Sequence, residues 1–125
     1  MLKVPLPSQI KLHKKSRTLE LTYADGSYEL TAEFLRVHSP SAEVRGHGIG
    51  NGILQTGKQW VAIKEVLPSG NYALKIVFDD GHDSGLYTWE YLHDLCHNQA
   101  DYWQRYLKQL EAAGASRDNG LIARS

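Results

Sequence analysis

The chain has 125 residues but only one cysteine, no excess of either charge and no long apolar run. With Cys96 alone, neither an internal disulfide nor a zinc site built from several cysteines of one chain can form. The 14 basic side chains balance the 14 acidic ones, so no strong overall field favours nucleic acid. No segment approaches membrane-spanning length, and the N-terminus lacks the apolar core of a signal peptide. We therefore expect a cytoplasmic protein that has no membrane partner and shows no strong signal for nucleic acid.

The length fits one domain with a core large enough to need no disulfides. We predict an N-terminal extension over 1–9, a single domain over 10–112 and a disordered tail over 113–125. We assign the tail because its sequence, which ends with ASRDNGLIARS, shows little hydrophobic periodicity.

Alternation of apolar and polar residues predicts strands in two parts of the chain. Leu19 to Tyr23 alternates, and Asp25-Gly26 then signals a tight turn before a returning strand. The clearest alternation of apolar and other residues covers 72–78 and lies between two turn clusters. It predicts that Tyr72 shares the buried face of this strand with Leu74, Ile76 and Phe78. The pattern indicates an α+β fold, with a mainly antiparallel sheet, a short internal helix and C-terminal helices packed against it.

Two threonines mark the starts of predicted helices. Thr31 precedes a short helix over Ala32 to Val37, and Thr88 precedes one from Trp89 to about His97. A threonine hydroxyl at such a position accepts a hydrogen bond from a free backbone N–H of the first turn. A third helix follows, with apolar residues at helical spacing: Trp103, Leu107 and Leu110.

The longest connection, which begins SPSAEVRGHGIGNG at Ser39, is rich in glycine. A connection of this length in a small domain is usually functional or disordered. Its candidate binding residues are Ser39, Ser41, Glu43, Arg45 and His47. Further along, GILQTGK resembles the start of a P-loop, but Gln59 stands where a magnesium-binding hydroxyl is required and a strand follows. Nucleotide hydrolysis is therefore disfavoured.

A second polar cluster lies in the sequence FDDGHDSG. Its candidate residues are Asp79, Asp80, His82 and Asp83. Carboxylates and imidazole suit a divalent metal, whereas aspartate and glycine also suit a hairpin turn, and the spacing does not match a calcium loop. His38, His47 and His82 would form a three-histidine site if the fold brought them together. Both interpretations stay open at the level of sequence.

Three blocks in order resemble one known family: LRVHSPSAEVRGHG, VAIKEVLPSGNYALKIVFDDGHDSG and LYTWEYL. They are similar to the gamma-butyrobetaine hydroxylase-like N-terminal domain family, first catalogued as DUF971, and the resemblance spans about Ile10 to Leu95. In that family the module occurs alone in bacteria, before the catalytic domain of carnitine-pathway dioxygenases, and attached to P-loop iron–sulfur carriers. The resemblance implies a stand-alone bacterial member, too short to contain the dioxygenase's catalytic iron domain.

The dioxygenase relatives hold zinc with three cysteines and one histidine. By resemblance, their Cys-Pro-Cys-x-x-Cys segment aligns with Ser39, Pro40, Ser41 and Val44, and their histidine with His82. A neutral hydroxyl is a poor zinc ligand and valine has no donor atom, so we expect the family's zinc site to be lost and no cofactor to be bound. We predict that polar contacts replace it, with His82 bonded to Ser39 or Ser41.

The leading functional hypothesis is a non-catalytic interaction or accessory module whose partner is another protein. The resemblance suggests a role in iron–sulfur or redox-enzyme assembly. The alternative is a metal- or small-ligand-binding protein that uses the histidines and the 79–83 carboxylates. We further expect Arg45 to pair with Glu43 or with an aspartate of the 79–83 turn.

Overall fold

The computed structural model describes residues 5–41 and 54–118. Within these ranges the strands are β1 (Gln9–His13), β2 (Thr18–Tyr23), β3 (Gly26–Thr31), β4 (Ile63–Ser69), β5 (Ala73–Phe78) and β6 (Leu86–Thr88). The helices are α1 (Ala32–Val37), α2 (Trp89–His97) and α3 (Gln99–Ala112). None of these helices is both long enough and apolar enough to span a membrane.

The strands form two antiparallel sheets in the order β1-β2-β3 and β4-β5-β6. The predicted α+β class is confirmed, although the expected sheet is divided into two three-stranded meanders. Tyr23 pairs with Gly26, which leaves Ala24 and Asp25 as the tight turn between β2 and β3. Gly26 has a φ of 141°, a conformation that residues with a Cβ rarely adopt.

One buried cluster combines side chains of both sheets with those of α1 and α2. Its fully buried members are Leu19, Leu21, Leu30, Leu35, Ile76, Tyr87, Leu92 and Leu95. The predicted alternation in β5 buries Leu74, Ile76 and Phe78, but Tyr72 is 53% exposed. Tyr72 lies in the turn before β5, so the strand does not direct its side chain into the core.

Both predicted helix starts are confirmed by capping hydrogen bonds. The Thr31 hydroxyl accepts a hydrogen bond from the Phe34 N–H at 3.0 Å, and the Thr88 hydroxyl accepts one from the Tyr91 N–H at 3.2 Å. Such a cap contributes about 1 kcal/mol. Because α1 ends at Val37, Ser39 follows directly after this helix and is itself buried.

Residues 113–118, the first part of the predicted tail, include two residues that bond to the domain. The carbonyl of Ser116 accepts a hydrogen bond from Gly57, and that of Arg117 accepts one from Gln59, both at 3.0 Å. The Arg117 guanidinium also binds both carboxylate oxygens of Glu33, at 2.9 and 2.8 Å. Glu33 lies in the helix predicted from sequence and is only 5% exposed. The bidentate pair with Arg117 therefore compensates the charge of a buried carboxylate. The remaining predicted tail, 119–125, lies outside the described residues.

Candidate functional site

The predicted contact between the two polar motifs is present, with His82 at its centre. Nε2 of His82 lies 2.8 Å from the Ser39 hydroxyl and 3.4 Å from the Ser41 hydroxyl. All three side chains are buried, and Ser39 is only 1% exposed. The chain reaches Ser39 directly from the end of α1, whereas His82 lies in the turn after β5. The hydrogen bonds therefore tie two distant segments of the chain together.

Gly85 allows this close packing because it has no side chain. A Cβ at Gly85 would lie 2.4 Å from the Ser39 hydroxyl oxygen and 3.2 Å from the ring of Tyr87. Tyr87 is fully buried, and its hydroxyl donates to the Leu35 carbonyl of α1. Burial raises the pKa of the Tyr87 phenol far above its ordinary value, so the ring remains neutral and acts as a hydrogen-bond donor.

Asp80 forms the charged part of the site. One of its carboxylate oxygens accepts hydrogen bonds from Arg36 at 2.9 Å and from Lys58 at 2.7 Å. Burial, the largest single effect, raises the pKa of Asp80, but hydrogen bonds from Lys58, the His82 N–H and Arg36 together outweigh it and lower the pKa to about 2. Asp80 is therefore a carboxylate at neutral pH, and it binds cations from α1 and from the segment before β4.

The other two aspartates of the turn differ in their exposure and contacts. Asp79 bonds to Ala62, the residue before β4: its carboxylate accepts from the Ala62 N–H at 3.0 Å, and its own N–H donates to the Ala62 carbonyl at 2.9 Å. Asp83 is exposed. The predicted hairpin turn is present, because β5 pairs with β6 and the Gly81 N–H donates to the Phe78 carbonyl at 3.3 Å. The same turn carries the charged and polar contacts of Asp80 and His82.

Among the described residues, His38 and His82 have different hydrogen-bond and ring partners, so the structure does not bring these two histidines into one site. Nδ1 of His38 lies 2.9 Å from the Phe34 carbonyl, and its ring packs near Phe34, Tyr102 and Tyr106. Burial lowers the pKa of His38, which favours a neutral ring in this aromatic setting. The other predicted members, Glu43, Arg45 and His47, lie outside the described residues.

Sequence reasoning missed Arg36, Lys58 and Gly85. Arg36 lies in a short helix, where a basic residue usually faces solvent, yet it is 7% exposed. One of its terminal guanidinium nitrogens is buried without a hydrogen-bond partner in the described part of the chain. Lys58 was noted only as part of an incomplete phosphate motif, and its observed partner is a carboxylate. Neither residue lies near Asp80 in sequence, so no local pattern indicates the cluster.

A serine hydroxyl within hydrogen-bond distance of an imidazole resembles a nucleophile with its base. In this chain Ser39 is buried, and Asp80 directs its carboxylate to cations and to the backbone N–H of His82. The contacts of these described groups link separate segments of the chain.

Comparison with known proteins identifies the family. The family model described as gamma-butyrobetaine hydroxylase-like, N-terminal matches residues 10–93. No curated protein matches the chain significantly.

Solved structures agree with this match. One protein studied by NMR in solution is 54% identical, with 98% of each chain covered and a TM-score of 0.85. A second NMR structure shows 51% identity, coverage of 94% of this chain and 90% of the other, and a TM-score of 0.77. A crystal structure of a DUF971 protein of unknown function from Acidithiobacillus ferrooxidans ATCC 23270 shows 40% identity and a TM-score of 0.57, covering 74% of this chain and 91% of the other. The chain belongs to the gamma-butyrobetaine hydroxylase-like N-terminal domain family, also known as DUF971.

Proposed function

We propose that this protein is a non-catalytic interaction module, and that the surface around the 79–83 turn binds another protein. The supporting observation is that this one turn binds both flanks of segment 42–53. His82 binds Ser39 on the N-terminal side, and Asp80 binds Lys58 on the C-terminal side. Binding residues are commonly carried by loops that a rigid scaffold positions. The segment between the flanks contains Glu43, Arg45 and His47, the candidates chosen from sequence.

The contacts of the titratable groups also favour binding over catalysis. A catalytic acid or base must reach a substrate, and its pKa usually lies near the working pH. The pKa of Asp80 is lowered to about 2, and its carboxylate is occupied by two cations. His82 is 7% exposed and bonded to serine hydroxyls. These groups stabilise the base of the proposed binding surface.

The proposed setting is iron–sulfur or redox-enzyme assembly. It rests on the resemblance to modules that are attached to iron–sulfur carriers or precede dioxygenase domains. The alternative function, metal or small-ligand binding through His38, His47 and His82, requires His82 to exchange its serine partners for the ligand.

Site-specific photo-crosslinking tests the proposal. A crosslinking amino acid replaces exposed Asp83 in one protein and, as a control, exposed Lys14 in the turn between β1 and β2 in another. We expect a discrete protein adduct from position 83 alone. The captured protein is then purified and titrated against the unmodified chain and against a variant with Glu43, Arg45 and His47 replaced by alanine.

We expect the triple variant to bind the purified partner at least about tenfold more weakly, a difference of about 1.4 kcal/mol, while its thermal unfolding is unchanged. Equal affinities for the two proteins would exclude this surface, as would the absence of any adduct from position 83. A partner that takes part in neither iron–sulfur nor redox-enzyme assembly would overturn the proposed setting while leaving the interaction role intact.

A further inference from the structure

The outer face of the first sheet brings together one histidine and two glutamates. Glu20 on β2 pairs directly with Glu29 on β3. His13 on β1 pairs with Thr18, two positions from Glu20, so the His13 side chain is a diagonal neighbour on the same face. The ligand atoms of His13, Glu20 and Glu29 all lie within 4.8 Å of one another. The cluster lies on different elements from the 79–83 turn.

The charges on this face are not balanced by strand pairing alone. Carboxylates directly opposite each other on neighbouring strands repel and destabilise a sheet. Lys11 pairs with Glu20 from the other side, and Nε2 of His13 lies 2.8 Å from a Glu20 oxygen. Glu20 and Glu29 therefore place two carboxylates side by side on this face, an arrangement that a divalent cation would neutralise.

We propose that His13, Glu20 and Glu29 form a binding site for a divalent metal ion of the zinc class. One imidazole nitrogen with two carboxylate oxygens suits Zn²⁺ and its neighbours Ni²⁺ and Cu²⁺, whereas Mg²⁺ and Ca²⁺ favour oxygen ligands alone. Three protein ligands leave a fourth tetrahedral position for water or for a donor from another molecule.

The geometry requires only side-chain adjustment. Ligand atoms bound at about 2.0–2.2 Å to tetrahedral zinc lie roughly 3.3 Å from each other. His13 and Glu20, now 2.8 Å apart, must separate slightly, and Glu29 must remain within reach of both. The side chains of His13 and Glu20 are 38% and 23% exposed, and Glu29 is exposed, so rotation is not blocked by core packing. The paired strands hold the three backbones in register throughout.

A second pair of histidines, on α2, supplies the control for this titration. His93 and His97 lie one turn apart on α2, with ring centroids 4.0 Å apart. Nδ1 of His97 lies 2.9 Å from the His93 carbonyl, and its Nε2 lies 2.8 Å from an Asp25 oxygen. Both ring nitrogens of His97 already have acceptors, so metal binding there must break an existing contact.

The test is a titration of the full chain with ZnCl₂, followed by NMR of the histidine rings and of the backbone amides. We expect one equivalent of zinc to shift the His13 ring and the amides of β2 and β3 near Glu20 and Glu29, whereas MgCl₂ at the same concentration does not. His13→Asn and Glu29→Gln should each weaken zinc binding at least about tenfold, as measured by calorimetry. Lys11→Gln should tighten it, because a positive charge next to Glu20 is removed.

His93→Gln serves as the matched control and should leave the zinc affinity unchanged. Thermal unfolding without metal establishes that each variant is folded, and these substitutions lie on partly or fully exposed positions. The proposal is overturned if zinc shifts only the His93 and His97 resonances. It is equally overturned if a tenfold excess of zinc leaves the His13 ring unshifted in the folded protein.

Discussion

His82 and Ser39 are separated by 43 residues, yet Nε2 of His82 lies 2.8 Å from the Ser39 hydroxyl. Ser41 approaches the same nitrogen at 3.4 Å. By the resemblance described above, these three positions correspond to two cysteines and the histidine that bind zinc in dioxygenase relatives. In this chain, hydrogen bonds between polar side chains connect the two segments; by the resemblance, a metal connects them in those relatives.

This correspondence predicts that a thiolate site can be restored. Replacing Ser39, Ser41 and Val44 by cysteine should create a site that binds Co²⁺ at one equivalent, with thiolate charge-transfer absorption in the near ultraviolet, because two of the three positions already lie beside His82. Cys96 should add no background, since burial raises the pKa of its thiol to about 12. Adding His82→Ala should weaken Co²⁺ binding. A triple variant that is folded but shows no thiolate band would contradict the correspondence.

Gly85→Ala is expected to destabilise the fold by about 1–3 kcal/mol, the usual range for overpacking a close-packed site. The new Cβ would lie 2.4 Å from the Ser39 hydroxyl oxygen. Ser39→Ala removes that oxygen, so the double variant should lose less stability than the sum of the two single variants. Urea unfolding of all four proteins measures the coupling, and strict additivity would show that the two positions do not clash.

Asp80→Asn should destabilise the protein by about 2–3 kcal/mol, because it leaves the buried Arg36 guanidinium without its carboxylate partner. The Arg36 side chain is 9% exposed, and one of its nitrogens has no hydrogen-bond partner among residues 5–41 and 54–118, so it would retain a poorly compensated charge. Lys58→Gln is the matched control on the other side of the same carboxylate. Because the Lys58 side chain is 22% exposed, its loss should cost only about 1 kcal/mol. Equal losses in the two variants, measured by denaturant unfolding, would contradict this order.

The low pKa of Asp80 also predicts a dependence of stability on pH. The pKa is lowered from 3.8 to about 2 in the fold, so the stabilisation is present above about pH 4 and is lost as the pH falls towards 2. The free energy of unfolding of the unmodified chain should therefore fall more steeply over that interval than that of Asp80→Asn. Parallel curves for the two proteins would show that Asp80 is not stabilised as a carboxylate.

His97 and Asp25 should contribute stability in a different pH window. The pKa of His97 is raised from 6.5, first by the hydrogen bond with Asp25, so its contribution is complete below about pH 6.5 and is lost as the pH rises through the raised value. The pKa of Asp25 is lowered from 3.8, chiefly by His97, so its contribution is lost as the pH falls below about 4.

The pair should therefore be strongest between about pH 4 and 6.5, and His97→Gln should remove this stabilisation. NMR titration of the His97 ring measures the pKa directly, and thermal unfolding of the two proteins between pH 4 and 9 measures the consequence. His93 and Tyr28 also contact the His97 ring, so His93→Gln is the control for loss of ring packing. A His97 pKa at or below 6.5 would contradict the prediction.

Local sequence alone predicted much of the fold. The caps at Thr31 and Thr88, the alternation in β2 and the tight turn at Gly26 each depend on a few neighbouring residues, and each is present. Hydrophobic periodicity indicates which face of a helix or strand is buried, so the α+β class could be predicted from the amino-acid sequence. The division into two sheets could not, because strand order depends on contacts between distant segments.

The partners of the buried polar and charged side chains depend on the tertiary structure. Sequence indicated His82 with Ser39 and Ser41, because a family resemblance aligned those positions. It did not indicate that Arg36 binds Asp80 or that Arg117 binds Glu33, because ionic partners far apart in sequence leave no periodic pattern. Burial of a charged group is favourable only where the fold places an opposite charge beside it. That placement depends on packing of the whole chain, whereas caps, turns and strand alternation depend on chemistry within a few residues.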